Sequence, residues 1–320
     1  MLDIKFIREY PEKLKQSLAD RNVQFDVDYL IDLDERRRAK ITEVDEMRNK
    51  QNIISDEIAG TTGSDREQKI AESRGNKEAL AHAEFEMKTL EEEFLGLMYK
   101  IPNILHPDVP VGKDDSENKV LRQWGEIPEF GFEPKDHMAL GEALDIINTE
   151  KAGEVSGARF TYLMGDLVRL QFALVQFALD VLTSPEKLRE IAKNIGITSA
   201  DIPFIPVSVP MMIRPDVYTK AARLSEATKE ERYRLADDDL YLIGSGEHTL
   251  VPLHMNETLD QEKLPIRYVT FSTCFRREAG SYGKDTRGIL RMHQFDKVEM
   301  ESFTIADEAF LEHNFFIRWC

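Results

Sequence analysis

Hydrophobic positions along the chain change their period twice. From residue 28 to 59 they recur at helical spacing, at Leu30, Leu33, Ile41, Val44, Met47, Ile54 and Ile58, without proline or glycine. The turn GTTGSD closes this run at Gly60. A second run, ending near Lys100, keeps a three-four spacing through Leu80, Ala83, Met87, Leu90, Phe94, Leu97 and Ile101. Two such stripes joined by a short turn bury their seams against each other, which predicts an antiparallel coiled-coil hairpin. Helices of about thirty residues extend on the order of 45 Å. Ahead of them, Ile4, Ile7, Leu14 and Leu18 around Pro11 predict a short helical preface. Residues 101–135 are proline-rich and break both periods. They read as a linker between domains, with a first short strand over 120–124.

The second half mixes periods. It predicts a helix over 140–147, a strand over 159–164, and an apolar helix over 166–182 that should be buried. A further helical stretch, SPEKLREIAKNIG, follows. PFIPVSVPMMIRPDVY carries Pro203, Pro206, Pro210 and Pro215, which fits an edge or interface strand and not a central one. LSEATKEERYRLADDD predicts helix and turn, and residues 240–244 a short strand running into SGEHTLVPLHMNETL. FSTCF then alternates bulky and small residues, AGSYGKDTRG interrupts with three glycines, and ILRMHQFDKVEM resumes the alternation. Helices and strands in this order predict an α+β class with an antiparallel sheet. No glycine signature points to a doubly wound one.

At 320 residues the chain is long enough for two domains and a sizeable core. Its net charge of -17 argues against bulk nonspecific nucleic-acid binding, while leaving room for a local basic patch. Cys274 and Cys320 form neither a disulfide framework nor a metal spacing, which favours a reducing compartment. With neither a signal peptide nor a membrane span, the cytoplasm is the default. The helical hairpin has two readings. One is a dimerisation or spacer coil with a solvated polar face. The other is a nucleic-acid probe, prompted by Arg36, Arg37, Arg38, Lys40, Arg48 and Lys50 on the first helix and Lys69, Arg74 and Lys77 on the second. Interleaved acidic residues leave both open.

Candidate chemistry gathers between Phe271 and Glu299. A strand repeat of two puts Arg276 and Glu278 on one face of the first strand. It puts Arg291, His293, Phe295, Lys297 and Glu299 on one face of the second. A rigid Arg276 offers a planar bidentate donor to the equatorial oxygens of an α-phosphate. Arg291 is placed for outer phosphates, and Phe295 for stacking on a purine. Glu247, Glu278 and Glu299 are acceptors for an amino group or adenine, and could share a magnesium ion. No Ser/His/Asp order or Cys/His pair stands out, so the implied chemistry is positioning and electrostatic stabilisation. Taken singly, each residue has a plainer reading. An arginine followed by a glutamate is a surface ion pair, Phe295 is core, Cys274 is a small buried hydrophobe, and His293 is a packed or hydrogen-bonded strand residue. His106 reads as a packing or surface residue of the linker. Their convergence on one hairpin favours the nucleotide floor.

FRREAGSYGKDTRGILRMHQFDKVEM closely resembles motif 2 of class II aminoacyl-tRNA synthetases, in the form found in the seryl-tRNA synthetase family. The resemblance is collinear through MLDIKFIREYPEKLK, the helical arm, IPNILHPDVPVGKDDSENKVLRQWG, SGARFTYLMGD and PVSVPMMIRPDVY. That last stretch looks like motif 1, with Pro210 at a dimer interface. The resemblance implies a helical tRNA-binding arm over 1–100, a linker over 101–135 and part of a class II catalytic domain over 136–320. It implies ATP, with Mg2+, held by Arg276, Arg277, Glu278, Arg291, Met292 and Phe295. Arg276 would bind the α-phosphate and the serine carboxylate, Glu278 would meet the adenine side and Arg291 would hold the γ-phosphate. Serine would fall to Ser245, Gly246, Glu247, Arg276 and Glu299. The loop from Ser281 to Arg287 would close over ATP and later meet the tRNA acceptor end. On the arm, Arg36, Arg37, Arg38, Arg48, Lys69, Arg74 and Lys77 would meet the long variable arm of tRNA(Ser), and also of tRNA(Sec), with the protein acting as a homodimer.

Two departures stand out. The family's usual threonine and small residue before the binding glutamate are here Ser245 and Gly246. After Glu299 there is one helical segment, ADEAFLEHNFFIRWC, whereas the resemblance implies about a hundred further residues, including motif 3. The expectation is a truncated sequence in which Phe310, Phe315, Phe316 and Trp319 lack much of the core they should meet. Two other functions compete with the synthetase. One is a non-catalytic, dimerising tRNA-binding fragment. The other is an amino-acid ligase acting on a carrier protein, against which the long arm counts.

Overall fold

The computed structural model describes residues 2–193, 197, 201–226, 228–279 and 288–318. Tertiary contacts divide the chain into two units, Met1–Ile127 and Pro128–Cys320.

In the first unit the helices are α1 (Ile4–Glu9), α2 (Pro11–Asp20), α3 (Val27–Gly60) and α4 (Ser64–Met98). Asp26 caps α3 by accepting from the Tyr29 amide at 2.9 Å, satisfying one of the donors that a helix start leaves over. α3 and α4 run antiparallel, as ion pairs from Arg37–Glu91 to Lys50–Glu72 trace. The apolar seam is densest at the base of the hairpin. There Ile7, Leu14, Leu18, Val27, Leu30, Leu33, Phe94, Met98 and Ile101 form one buried cluster. Towards the turn the seam becomes polar: Gln51 Nε2 donates to Ser73 Oγ at 2.8 Å, and Asn76 Nδ2 to Gln51 Oε1 at 3.0 Å. Residues 101–127 carry only a single-turn 3-10 helix, Asp115–Glu117. The strand expected over 120–124 does not form, and Trp124 is 97% exposed. A strand needs a neighbour to bond its backbone, and none is alongside among the described residues.

The second unit begins with α5 (His137–Ala143), β1 (Ile147–Asn148), α6 (Thr149–Ser156) and β2 (Tyr162–Leu163), the strands pairing antiparallel. The helix expected over 140–147 therefore starts earlier and gives way to a strand at Ile147, and the strand expected over 159–164 is two residues long. Next come α7 (Asp166–Leu182) and α8 (Pro185–Ile191). β3 (Ile205–Val207) lies parallel along β6 (Ile266–Phe275), which pairs antiparallel with β7 (Gln294–Phe303). The sheet is thus mixed, with the proline-bearing β3 on an edge as expected. β4 (Met212–Ile213) and β5 (Tyr241–Leu242) form a separate pair flanking α9 (Pro215–Lys220). The stretch expected to be helix and turn after α9 makes only a 3-10 turn, Lys229–Glu231, among the described residues. α10 (Glu247–Leu250) and α11 (Ala309–Ile317) complete the unit.

The two faces of β6–β7 do different work. On one, Val269, Val298 and Met300 join Leu182, Leu188, Ala192, Phe204 and Phe315 in a core. Arg267 on this face is fully buried. Its Nε and Nη2 donate to Glu312 Oε1 and Oε2 at 2.6 and 2.8 Å, and its Nη1 to the Ile202 carbonyl at 2.8 Å. The rings of Phe315 and Phe204 lie 4.5 and 5.7 Å from its guanidinium carbon. Phe315 is therefore core and not an exposed remnant; Phe316 packs beside Phe204, Phe310 is exposed, and Trp319 lies outside the described residues.

The apolar helix α7 departs from expectation. It reaches this core only through its last turn, Leu179 and Leu182, while Leu170, Phe172, Leu174 and Phe177 are all more than half exposed. Composition specified the helix, but burial depends on which neighbours reach it. No single described helix is long and apolar enough to cross a membrane.

Candidate active site

The opposite sheet face, carrying Thr270, Ser272 and Cys274 against Glu299, Lys297 and Phe295, forms the floor of the site. The segment from Gly244 to Glu247 descends onto it. A Cβ on Gly246 would lie 2.6 Å from Thr270 Cγ2, 3.0 Å from Ser272 Oγ and 3.2 Å from Glu299 Oε2, so glycine alone fits without shifting these side chains. That close approach brings Ser245, which is buried, within reach of β7. Ser245 Oγ donates to Glu299, with its two oxygens at 2.6 and 2.8 Å. Lys297 Nζ donates to Ser245 Oγ at 2.8 Å and to Glu299 Oε1 at 2.6 Å, and the Glu247 amide donates to Glu299 Oε2 at 3.1 Å. Burial opposes ionisation of Glu299, but the hydrogen bonds from Lys297 and Ser245 outweigh it and hold the carboxyl below its ordinary value. The hydroxyl that Ser245 shares with threonine is thus the part of the side chain in use.

Beside this network, Arg223 Nε pairs with Glu247 Oε1 at 2.9 Å. His248 is buried. Its Nδ1 accepts from the Gly244 amide at 3.1 Å and from the Tyr218 hydroxyl at 2.8 Å, which puts its proton on Nε2. Burial, followed by Arg232 and Arg223, drives its pKa down to about 3, so the ring is neutral. Glu301 continues the β7 face two residues beyond Glu299. Burial, then Glu247 and Glu299, pushes its carboxyl up to about 7.

Among the described residues, oxygens of Glu247, Glu299 and Glu301 all lie within 4.8 Å of one another. Glu278, the expected third carboxylate beside Glu247 and Glu299, is not in this group. Two of the three already face a cation, Arg223 or Lys297, so with Glu301 ionised the set carries one surplus negative charge. That suits a monovalent ammonium better than a divalent metal.

The other end of the floor holds the expected phosphate ligands, though not on strands. β6 stops at Phe275 and β7 starts at Gln294, so Arg276, Glu278, Arg291 and His293 flank the strands and their shared faces do not follow from alternation. Glu278 has φ 49°, which breaks an extended run. Arg276 is nonetheless fixed. Its amide donates to the His293 carbonyl and His293 Nδ1 donates to the Arg276 carbonyl, both at 2.9 Å, while its Nε donates to the Gly244 carbonyl at 3.0 Å. Its guanidinium carbon lies 5.3 Å from the Phe295 ring centre. Arg291 pairs with Glu278 at 3.4 Å, and the Arg277 amide donates to the Glu231 carbonyl at 3.0 Å. Met292 and Phe295 line an open cleft of about 540 Å³ whose other wall is α7, through Leu167, Leu170 and Gln171. The loop Ser281–Arg287 lies outside the described residues.

On the arm, Arg36 pairs with Asp32, Arg37 with Asp34 and Glu91, Arg38 with Asp34, Arg48 with Glu84 and Lys69 with Glu57. Lys40 and Lys50 pair with Glu86 and Glu72. Arg74 and Lys77 are exposed, with no carboxylate at ion-pair distance among the described residues. Pro210 is exposed, and its carbonyl accepts from Thr249 Oγ1 at 2.9 Å.

Lys297 and Glu301 join the site without a role expected from sequence, though strand alternation past Glu299 points to Glu301. Arg223 and His248 had no periodic signal, because they reach the site through tertiary folding.

Comparison with known proteins gives a consistent likeness. Residues 1–105 match the model of the seryl-tRNA synthetase N-terminal domain, and residues 230–315 that of the tRNA synthetase class II core domain (G, H, P, S and T). The chain is 38% identical over 315 residues to a serine–tRNA ligase of Nitrosopumilus maritimus, covering 98% of this chain and 70% of that protein. It is 39% identical over 323 residues to serine–tRNA ligase 1 of Streptomyces avermitilis, covering 72% of that protein. Among solved structures, seryl-tRNA synthetase from Pyrococcus horikoshii complexed with ATP superposes with a TM-score of 0.77 at 36% identity, over 99% of this chain and 73% of that one.

Proposed function

The chain belongs to the seryl-tRNA synthetase family of ATP-dependent serine–tRNA ligases, and we propose on that premise that it activates L-serine as seryl-adenylate and passes the seryl group to the 3′ end of tRNA(Ser), and of tRNA(Sec). The observation that carries this reading is the Ser245–Lys297–Glu299 network set beside Arg276. It offers a preorganised carboxylate at the amino-acid end and a fixed guanidinium at the reacting phosphorus.

In the proposed first step the serine carboxylate attacks the α-phosphorus of ATP and pyrophosphate leaves. Arg276 bridges the attacking carboxylate and the α-phosphate, stabilising charge as it builds on the equatorial oxygens. Arg291 holds the γ-phosphate, Phe295 stacks on adenine, and Arg277, Glu278 and Met292 complete the nucleotide contacts. The Arg276–Phe295 proximity supports a single nucleotide spanning both. Ser245, Gly246, Glu247 and Glu299 receive the amino acid. Its hydroxyl satisfies polar groups that alanine would leave unpaired, which supports selection for serine. In the second step the terminal ribose hydroxyl of tRNA attacks the seryl carbonyl and AMP leaves.

Mg2+ would arrive on the ATP phosphates. Glu278, beside Arg291, is a carboxylate at that end, which fits a cation that keeps mostly phosphate and water oxygens. When bound, the ion offsets the charge of the leaving pyrophosphate.

The arm would reach tRNA through its cations, with Arg74 and Lys77 the most available. Exposed Pro210, flanked by exposed Met211 and Met212, is the proposed meeting point of two copies. Charging assays with labelled serine and two acceptors test the reading. Transfer to tRNA(Ser) supports it, and transfer to a carrier protein alone would favour the related ligase.

A further inference from the structure

Three carboxylates converge on the amino-acid end of the floor, and only two have a cation. Arg223 accompanies Glu247 at 2.9 Å and Lys297 accompanies Glu299 at 2.6 Å. Glu301, half-buried, makes no hydrogen bond or ion pair among the described residues. A carboxylate in this position costs free energy unless something compensates it. The groups facing it are Glu247 from α10, Glu299 and Lys297 on its own strand, Arg223 after α9, and Tyr268 directly across on β6. Tyr268 is engaged elsewhere, its hydroxyl 2.9 Å from His254 Nε2.

A second, independent observation lies on the same face. Thr270, opposite Glu299 in the ladder, is buried and its Oγ1 has no hydrogen-bond partner among the described residues. A buried hydroxyl is rarely left unsatisfied unless a ligand or water completes it.

We propose that Glu301 is a third binding carboxylate of the amino-acid pocket, receiving the charge of the substrate's ammonium group. This rests on the serine site proposed above and adds a residue to it. An α-ammonium brings one positive charge and three N–H donors, matching one surplus negative charge and a set of oxygens within 4.8 Å. A divalent metal would over-compensate the same set. With no ligand, Glu301 answers its surroundings by holding a proton, with its pKa near 7. An arriving ammonium favours the ionised form and displaces that proton to solvent. Serine affinity therefore rises with pH through about 7, by about tenfold between pH 6 and 8 for one such group. The substrate's own amino group stays charged over that range.

The test compares wild type, E301Q, E301D and E299Q by calorimetric titration at pH 6, 7 and 8. The probes are L-serine and glycerate, which carries a hydroxyl in place of the ammonium. The expected result is that E301Q weakens serine binding about ten- to a hundredfold at pH 8, changes glycerate binding less than twofold, and loses the pH slope. E301D, which keeps the charge, should retain the slope, a signature that a merely structural role would not give. Unchanged serine affinity in E301Q, or a pH slope that survives the substitution, overturns the proposal. If E299Q abolishes serine binding while E301Q leaves it intact, the serine pocket stands and only this inference falls. If the wild type binds no serine, both fall together.

Discussion

Charges on the helical hairpin and charges on the β6–β7 floor obey opposite rules. On α3 and α4 they are mostly exposed and matched, apart from the buried Asp34 among its arginines: Arg48 meets Glu84, Lys40 meets Glu86, and Lys69 meets Glu57. Solvent screens each pair, so the loss of one member changes little. On the floor they are half-buried and interlocked, with Lys297 serving both Ser245 and Glu299 and with one carboxylate in excess when all three are ionised. A matched exposed charge keeps a long helix solvated, whereas a half-buried surplus is relieved by a proton or by a cationic ligand. Arg66, Arg74 and Lys77 on α4 are exposed and lie outside this matching among the described residues.

The largest effect is expected behind the floor, where Arg267→Met leaves Glu312 buried without its cation. A loss of about 3–5 kcal/mol in urea-unfolding stability is expected, and a loss below 1 kcal/mol would show that water reaches the pair. Next, Lys297→Met removes charge-assisted hydrogen bonds to Ser245 and Glu299. Serine binding should weaken by about 2–3 kcal/mol while ATP binding stays within a factor of two. Equal losses for both ligands would mean that Lys297 supports the fold and not the pocket. Gly246→Ala forces Thr270 Cγ2 or Glu299 to move, with an expected cost of about 1–3 kcal/mol in stability or serine affinity. On the arm, Arg74→Ala with Lys77→Ala should leave unfolding unchanged. It should flatten the dependence of tRNA affinity on log salt by about two phosphate contacts' worth. The smallest effect belongs to the matched pair, since Arg48→Ala should cost about 0.2–1 kcal/mol of stability.

The hairpin was readable in the sequence because one periodic stripe specifies both helices and their seam. Its base cluster, from Leu30 and Leu33 to Phe94, follows the predicted spacing. β6 and β7 were readable for the same reason. Period failed at the strand ends, where Glu278 turns to positive φ and Arg276 is fixed by His293 and Gly244 instead of by the sheet. It also failed where residues distant in sequence meet. Arg223 on Glu247 and Gly246 against Thr270 are products of tertiary packing. The departures at Ser245 and Gly246 have a physical account in the structure, since one keeps the hydroxyl in use and the other occupies a gap with no room for a Cβ. For α7 the sequence specified a helix with an apolar surface but not what would lie against it, and four of its large apolar residues stand exposed.

We propose the floor as a serine-activating site whose key carboxylate is Glu299. Serine-dependent exchange of labelled pyrophosphate into ATP, measured without tRNA for the wild type and for Glu299→Gln, tests it most directly. Exchange is expected with serine, little with alanine, and a loss of at least about a hundredfold on substitution, the scale of a charged hydrogen bond to substrate. Equal exchange with the two amino acids, or undiminished exchange in the variant, would contradict it.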